Sequence, residues 1–281
     1  MNTAPARQSQ ISQSSGPAAW LKRKSVQETV GSVCVYVLLI LGAAFVLMPF
    51  IWMISTALKT PGREFAFPIQ WIPNPVVWRN FRDGLTVLPF KRWFANTGLI
   101  TGTVIVGYTI SCSLAAFGFA RLDFPGRDGL FLLLLSTMMM PYPVTMTPTF
   151  ILFKYIGWLD SFKALVVPSF FAGGGAFYIF LLRQFFLTLP RELDDAARID
   201  GCSTFGIFWR IALPLVRPAL GMVIVFAFMA SWNDFLGPLI FLSSTDNFTV
   251  SLGLRYFQGQ FDVQWTWLMA VSLVALSPCI A

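Results

Sequence analysis

The chain carries the segment Asp195-Ala196-Ala197-Arg198-Ile199-Asp200-Gly201, followed after nine further residues by Ile211-Ala212-Leu213-Pro214. This charged segment contains good helix formers and lies between two strongly apolar stretches of sequence. Charged side chains are costly inside a bilayer, so a membrane protein places such a segment outside it. We therefore predict that the segment forms a protein-docking surface beside the membrane.

The composition indicates an all-α integral membrane protein, because 56% of the 281 residues are hydrophobic and only 12% are charged. Apolar stretches of about 20 residues predict about six transmembrane helices. They cover residues 31–58, 96–120, 129–153, 164–182, 219–242 and 263–281. The first stretch exceeds the roughly 7–15 apolar residues of a signal-peptide core, so we expect it to be retained. The last stretch reaches Ala281 without a charged flank, so we expect the sixth helix to be cut short.

The basic residues are spread over loops and helix ends, and the net charge is +7. In a membrane chain this charge favours lipid headgroups as partners, and we expect no nucleic acid. Eleven of the 20 Lys and Arg residues belong to the N-terminal segment and to the 121–128 and 183–217 loops. This excess predicts a multi-pass protein with both termini in the cytoplasm.

Two segments are predicted to lie outside the transmembrane domain proper. Residues 1–30 are rich in Ser, Gln and Ala, which predicts a disordered cytoplasmic tail before a transmembrane domain at 31–281. Residues 59–95 combine five prolines with aromatic residues and are predicted to form an external loop on the membrane surface. The aromatic rings of this loop either lie at headgroup depth or dock a partner, and the sequence leaves both alternatives open.

Side chains suited to catalysis are scarce. The chain has no His, which is the commonest general base and metal ligand. Its four cysteines form no CxxC pair, and a thiol in an apolar stretch behaves as a small hydrophobic group. No P-loop sequence for binding nucleotide phosphates is present, and the three glycines at 173–175 are predicted to be a flexible point inside a helix. We therefore expect no enzyme activity, no bound cofactor and no metal site in this chain.

Two of the apolar stretches carry packing signals. Gly98 and Gly102 have the four-residue spacing that lets neighbouring transmembrane helices approach closely. Pro141, Pro143 and Pro148 interrupt the third stretch, and the carbonyls that they free must face protein or water. Residues 138–150 are therefore either the wall of a translocation pathway or a structural kink.

The segment 190–214, called the elbow below, has the signals of two short helices joined by a turn. Pro190 is predicted to open a helix of about ten residues, with Glu192, Asp194 and Asp195 complementing the helix dipole in its first turn. Gly201 suits the left-handed position that ends this helix. Ser203 or Thr204 can cap a second helix running toward Ile211, and Pro214 and Pro218 are predicted to break it. From the residues alone, the elbow is either a rigid knob that enters a cleft of a soluble partner or an ordinary charged loop.

The pattern Asp195-Ala196-Ala197-x3-Gly201-x9-Ile211-x-Leu213-Pro214 resembles the EAA-loop signature of binding-protein-dependent ABC importer permeases. Asp195 stands where the family usually has Glu, which keeps the charge but shortens its reach. Similar motifs at 120–126, 140–150 and 231–236 extend the resemblance over nearly the whole chain. They are most similar to the carbohydrate-uptake subfamily, and within it to the maltose-permease-like second, six-helix subunit.

The resemblance implies a type I ABC importer permease fold, in the cytoplasmic (inner) membrane of a bacterium or archaeon. It implies a heterodimeric pore formed with a second permease subunit, above an ATPase dimer that holds the ATP and Mg, and an extracytoplasmic binding protein that delivers a sugar. Closure of the ATPase dimer would push the elbow and switch the pore between its two openings. The ATPase-coupling residues so implied are Glu192, Asp194, Asp195, Ala196, Ala197, Arg198, Asp200, Gly201, Ile211, Leu213 and Pro214.

The ionisable residue of the fifth stretch, Asp234, is expected near the outer edge of the bilayer, about 26 Å from Arg217 at 1.5 Å per residue. It either has a structural or gating role or contacts substrate. The candidate pathway residues are Met139, Pro141, Tyr142, Tyr178, Asn233 and Asp234. Two alternatives to a sugar permease remain: a permease for a polyol or glycerol phosphate ester, which would need a cationic site, and a membrane scaffold that does not transport.

Overall fold

The computed structural model describes residues 17–258 and 264–280, and the chain divides into a unit that ends at Ile54 and a second that begins at Ser55. Both consist mainly of helix. In chain order the α-helices are α1 Pro17–Ala57, α2 Arg79–Val87, α3 Phe90–Arg121, α4 Arg127–Thr137, α5 Tyr142–Tyr155, α6 Lys163–Phe170, α7 Ala176–Thr188, α8 Glu192–Ile199, α9 Thr204–Ile207, α10 Leu213–Leu215, α11 Arg217–Trp232, α12 Leu236–Phe241, α13 Val250–Gly253 and α14 Trp265–Ile280. A π-helical segment, Phe208–Ala212, joins α9 to α10, and 3-10 turns cover Thr245–Asn247 and Leu254–Phe257.

The first helix begins earlier than the sequence predicted. Its apolar part, Gly31–Ala57, is long enough to cross a membrane, but the helix already starts at Pro17. The prediction of disorder is therefore wrong for residues 17–30, since proline suits the first helical turn and the Ala, Leu, Lys and Arg that follow are good helix formers. The remainder of the predicted tail, residues 1–16, lies outside the described residues.

The predicted spans fall on helices, but several of them are interrupted. Within the described residues, the apolar part of α1 and the whole of α3 are each long and apolar enough to cross a membrane, and each of two bent helix pairs can count as one more span. One of these pairs is α4 and α5, which meet at 98°. The break lies at Pro141, whose ψ of 138° is extended. Met140 precedes this proline, and a residue before a proline disfavours helical backbone.

The fourth and fifth predicted spans are also broken. Between α6 and α7, Ala172 and Gly174 have positive φ angles of 55° and 77°. The glycine run is therefore a helix break rather than a flexible point inside a helix, because left-handed backbone ends a right-handed helix. Residues 233–235 separate α11 from α12. The sixth span is α14 and ends at Ile280, the last residue described.

Helix α3 forms the centre of the second unit and packs against α6, α7 and α11. Its close approach to α6 is at Gly107, where a Cβ atom would collide with the side chain of Ser169 and lie 3.1 Å from Phe170. Gly98 and Gly102 have no atom of the described residues within 4 Å of a Cβ position, so the prediction of close packing at this pair is wrong within the described part of this chain. Which glycine meets a neighbour depends on how α3 is rotated, and the spacing of glycines does not report that rotation.

The segment predicted as an external loop at 59–95 is more regular than expected. It contains α2 and the first residues of α3, and α2 packs against α14. Asn80 is buried and donates to the carbonyls of Ala57 and Lys59 at 2.9 and 2.7 Å. These bonds satisfy one carbonyl at the end of α1 and one just past it, where no further helical turn is available.

Asp160 connects two loops at the end of the bundle where α3 begins. Its backbone has a φ of 53°, and its Oδ1 accepts from the backbone N–H of Ser243 at 3.0 Å and of Ser244 at 2.9 Å. The Ser244 hydroxyl also bonds to Oδ2, and Asn247 donates to the Asp160 carbonyl at 2.9 Å. Hydrogen bonds from the hydroxyl and backbone of Ser244 and from the backbone of Ser243 lower the pKa of Asp160 below its usual value.

Candidate functional site

The first half of the elbow is a helix that ends as predicted but begins two residues late. Helix α8 runs from Glu192 to Ile199, so Pro190 precedes it instead of opening it. Gly201 has a φ of 80°, the Gly201 N–H donates to Arg198 at 3.0 Å, and the Cys202 N–H donates to Ala197 at 2.8 Å. This pair of bonds is the Schellman motif, in which a left-handed glycine reverses the chain. The sharp turn is therefore confirmed.

The second half of the elbow is also helical, as predicted. The Ser203 hydroxyl accepts from the Gly206 N–H at 3.1 Å and caps α9. Pro214, however, lies within α10 and does not break the helix. The π-helical segment before it makes a wider turn, and a proline without an N–H is tolerated there. The break comes at Val216, after which α11 starts with Pro218 in its first turn, at 79° to the preceding helix.

The elbow presents a mixed charged and apolar surface. Among the predicted coupling residues, Ala197 is buried, Asp194, Ile211, Leu213 and Pro214 are half-buried, and Glu192, Asp195, Ala196, Arg198, Asp200 and Gly201 are exposed. Ile199 is 86% exposed, and Phe205 and Trp209 are exposed as well. The sequence analysis missed these three apolar residues, although large apolar side chains inside a charged extramembrane segment were a usable signal.

Another residue whose role at the elbow was not predicted is Arg121, the last residue of α3. Its Nη1 lies 3.3 Å from Oδ2 of Asp194, and the two side chains are only 4% and 14% exposed. Its Nη2 donates to the carbonyl of Leu189 at 2.7 Å. Asp194 therefore has a partner within the chain, whereas Asp195 is exposed on the elbow surface.

The second candidate site is a cavity of 240 Å³ beside α3, called the central cavity below. Of the predicted pathway residues, Tyr178 and Asp234 line it, whereas Met139, Pro141, Tyr142 and Asn233 are not among its lining residues. Four polar side chains that were not predicted from the sequence also line it: Thr97, Tyr108, Ser231 and Thr249. The lining consists of Thr97, Ile100, Val104, Tyr108, Leu165, Gly174, Tyr178, Ala227, Ala230, Ser231, Asp234, Pro238 and Thr249.

The polar groups of the central cavity are held by neighbouring elements. The Tyr108 hydroxyl donates to the carbonyl of Gly173 at 2.8 Å, and its ring meets that of Tyr178 edge to face at 5.0 Å. The Ser231 hydroxyl lies 3.2 Å from that of Thr101. Rings and hydroxyls fixed in this way offer both flat apolar faces and hydrogen-bonding groups.

Asp234 lies in the break between α11 and α12 and not within a continuous helix. Its Oδ1 accepts from the Gly237 N–H at 3.1 Å. A Cβ at position 237 would collide with the other carboxyl oxygen, so glycine is needed there. The carboxyl group is thus fixed in place at the cavity wall by the start of α12.

Comparisons with known proteins agree on one family. The model of the binding-protein-dependent transport system inner membrane component matches residues 107–281. Over 194 residues the chain is 38% identical to the arabinooligosaccharides transport system permease protein AraQ of Bacillus subtilis (strain 168), covering 68% of this chain and 67% of that protein. It is 32% identical over 254 residues to the sn-glycerol-3-phosphate transport system permease protein UgpE of Yersinia enterocolitica serotype O:8, covering 88% and 89% of the two chains.

The fold is also shared with a solved structure. A chain in the crystal structure of a bacterial ABC transporter involved in the import of the acidic polysaccharide alginate superposes with a TM-score of 0.81. The match covers 90% of this chain and 94% of that chain at 20% identity, and it establishes the type I ABC importer permease fold. The chain therefore belongs to the binding-protein-dependent transport system inner membrane components, as a permease subunit and not an enzyme.

Proposed function

We propose that this chain forms half of the translocation pathway of an ATP-driven importer for a neutral sugar or oligosaccharide. The observation that carries this substrate class is the chemistry of the central cavity. Among the described residues, its lining contains a carboxyl group, two tyrosines and several hydroxyl groups, and no Lys or Arg. Sugar hydroxyls can donate to the Asp234 carboxyl, and the C–H faces of a sugar ring can pack on the rings of Tyr108 and Tyr178.

The relatives leave two substrate classes to be distinguished. The relative from Bacillus subtilis is named for transport of arabinooligosaccharides, and the relative from Yersinia enterocolitica is named for transport of sn-glycerol-3-phosphate. A phosphate ester carries negative charge, so the Asp234 carboxylate would repel it inside the central cavity. Because the lining residues described here supply no cation to offset that repulsion, the cavity favours the neutral sugar over the phosphate ester.

The proposed assembly follows from the family and from the shape of the elbow. A second permease subunit completes the pore, an ATPase dimer binds the elbow from the cytoplasm, and an extracytoplasmic binding protein delivers the sugar. In this arrangement both termini are cytoplasmic, residues 59–95 lie outside, and the exposed acids Glu192 and Asp195 face the ATPase. Closure of the ATPases on ATP displaces the elbow and changes which side of the membrane the pathway faces.

The substrate class is tested by uptake into proteoliposomes that contain the complete transporter and its binding protein. Asp234→Asn removes the charge at nearly constant volume, and loss of a hydrogen bond to a charged group of about 1.5–3 kcal/mol predicts a fall in sugar uptake of roughly 10- to 100-fold. Asp128→Asn is the matched control, since Asp128 is exposed at the start of α4 and not among the cavity residues. Its uptake should stay within about twofold of wild type, a change too small to signify a lost contact.

Glycerol phosphate distinguishes the alternative. The wild-type transporter should show no uptake of sn-glycerol-3-phosphate above that of empty vesicles. If the wild type takes up the phosphate ester and Asp234→Asn increases that uptake, the substrate class is the phosphate ester and not a sugar.

A further inference from the structure

Where helices α3 and α7 reach the elbow, each carries an arginine that donates a hydrogen bond to the end of the other helix. Arg183 of α7 donates from Nε to the carbonyl of Phe119 in α3 at 3.2 Å. Arg121 of α3 donates in the opposite direction, to the carbonyl of Leu189 just past α7, at 2.7 Å. The last carbonyls of a helix have no partner within the helix, so each arginine caps the end of the neighbouring helix. The two helix ends are thereby joined.

Arg121 extends this junction into the elbow. The same guanidinium that binds Leu189 also forms the ion pair with Asp194, so it holds the chain on both sides of Pro190. The pair is nearly excluded from solvent, and salt screens a buried pair much less than an exposed one. The Arg121 Nε is buried without an acceptor among the described residues, so the guanidinium depends on these two contacts for compensation.

Helix α8 has two covalent connections, and neither leads to α3. Toward the N-terminus it follows α7, and toward the C-terminus it reaches α11 only through a turn, a π-helical segment and a 79° bend. Apolar packing of Phe117 against Phe186 and Phe208 joins α3 to α7 and to the π-helical segment of the elbow, but it lacks the directionality of an ion pair. Arg121 is thus a direct polar link from the elbow to α3.

Helix α3 extends from this junction to the central cavity. It contributes Thr97, Val104 and Tyr108 to the cavity lining, and its residue Arg121 holds α8. A movement of α8 must therefore carry the end of α3 with it or separate a buried ion pair. Packed helices transmit such displacements because their contacts do not deform continuously.

We propose that Arg121 is a positioning residue that makes α8 and α3 move as one body, so that the force of the ATPase reaches the cavity through α3 as well as through α11. This proposal rests on the importer function proposed above. It assigns Asp194 to a contact within the chain and leaves Asp195 for contact with the ATPase. Rupture of the pair should uncouple ATP hydrolysis from transport without releasing the ATPase.

The coupling is tested with Arg121→Met and Asp194→Asn in the complete reconstituted transporter. We expect the amount of sugar transported per ATP hydrolysed to fall by about fivefold or more, the lower range of coupling between sites. The amount of ATPase that co-purifies with the permease should stay near the wild-type amount. The control is Arg127→Met, which breaks the more exposed pairs of Arg127 with Asp123 at 2.7 Å and Asp128 at 3.1 Å near the same end of α3 and should leave the ratio unchanged.

Two results would overturn the proposal. One is an unchanged ratio of transport to hydrolysis in both variants. The other is a proportional fall of transport, hydrolysis and co-purified ATPase, which would assign the pair a merely structural role. If Arg121→Met does not assemble, Arg121→Lys is measured instead, because an ammonium group lacks the planar fork that serves both acceptors and should give an intermediate ratio.

A distance measurement separates this proposal from the substrate assignment. Nitroxide labels are placed at Arg191, beside α8, and at Leu114 on α3, both exposed, in the complete transporter with the native cysteines replaced. Double electron–electron resonance spectroscopy should give the same distance between the labels with and without ATP in the wild type. In Arg121→Met, ATP should shift or broaden that distance. A wild-type distance that changes with ATP refutes the single-body movement, whatever solute is transported. A wild type that transports no sugar but keeps its label distance refutes only the proposed substrate.

Discussion

The turn at Gly201 gives the most direct test of the elbow, through the substitution Gly201→Ala. Gly201 has a φ of 80°, and no atom that the structure describes lies within 4 Å of the Cβ position there. The added methyl group therefore meets no neighbour, and its cost is the backbone strain of a non-glycine residue in left-handed conformation, roughly 1–2 kcal/mol. Few buried side chains hold the elbow, and within α8 only Ala197 is buried. The strain therefore lowers the fraction of molecules whose elbow has the conformation that binds the ATPase.

The expected result is a lower affinity for the ATPase, with normal insertion of the permease into the membrane. A cost of roughly 1–2 kcal/mol lowers the affinity for the ATPase by a factor of at most about 5 to 30. The assay is titration of purified ATPase onto the permease heterodimer in nanodiscs, read as a dissociation constant. Gly201→Leu should weaken binding at least as much, because leucine carries the same backbone penalty.

Two variants identify the cause of the effect. Gly201→Asn should lose less affinity than Gly201→Ala, since asparagine tolerates left-handed backbone. Gly221→Ala in α11 also adds a methyl group to open space, but at a glycine without a positive φ, and should bind like wild type. The reasoning is refuted if Gly201→Ala binds the ATPase as tightly as wild type, or if alanine and asparagine at this position weaken binding equally.

The remaining predictions concern the packing of the second unit. The lowered pKa of Asp160 means that its contribution to stability is present above the unfolded-state pKa of about 3.9 and is lost as the pH falls below it toward the folded-state pKa. Melting temperatures of the purified complex should therefore drop less between pH 5 and pH 3 for Asp160→Asn than for wild type, and equal drops would contradict the hydrogen-bonded carboxylate. Gly107→Ala should destabilise the complex by about 1–3 kcal/mol because α3 and α6 must separate, whereas Gly102→Ala should have little effect within this chain. Unfolding in detergent measures both, and equal stability of the two variants would contradict the close approach at Gly107.

Local signals predicted the elbow well because its structure depends on adjacent residues. The left-handed Gly201 and the Ser203 cap act on backbone groups within a few positions, so the sequence contains all that they need. The prediction that Pro214 breaks the helix was wrong, because the effect of a proline depends on the type of helix around it. A proline signals a break only in a regular helix, and the π-helical segment preceding it was not evident from the residues.

The central cavity could be predicted only in part. Asp234 was selected because an ionisable residue is rare in an apolar stretch, and Tyr178 because aromatic rings suit sugars. Tyr108 and Thr249 lie far from both in sequence and gave no comparable signal, although they line the same space. Met139 was selected for a proline kink and Tyr142 for its aromatic ring, but the 98° break between α4 and α5 does not bring them to the lining.

The sequence by itself determined the class of the protein, the approximate positions of its apolar helices and the turn of its elbow. These properties follow from composition, from apolar length and from residues that interact with near neighbours. The tertiary structure alone decided that Arg121 holds Asp194, that Gly107 rather than Gly98 meets a neighbouring helix, and that Asp234 faces a cavity. Each of these depends on the rotation and crossing of helices distant in sequence, which are set by the packing of all the helices together.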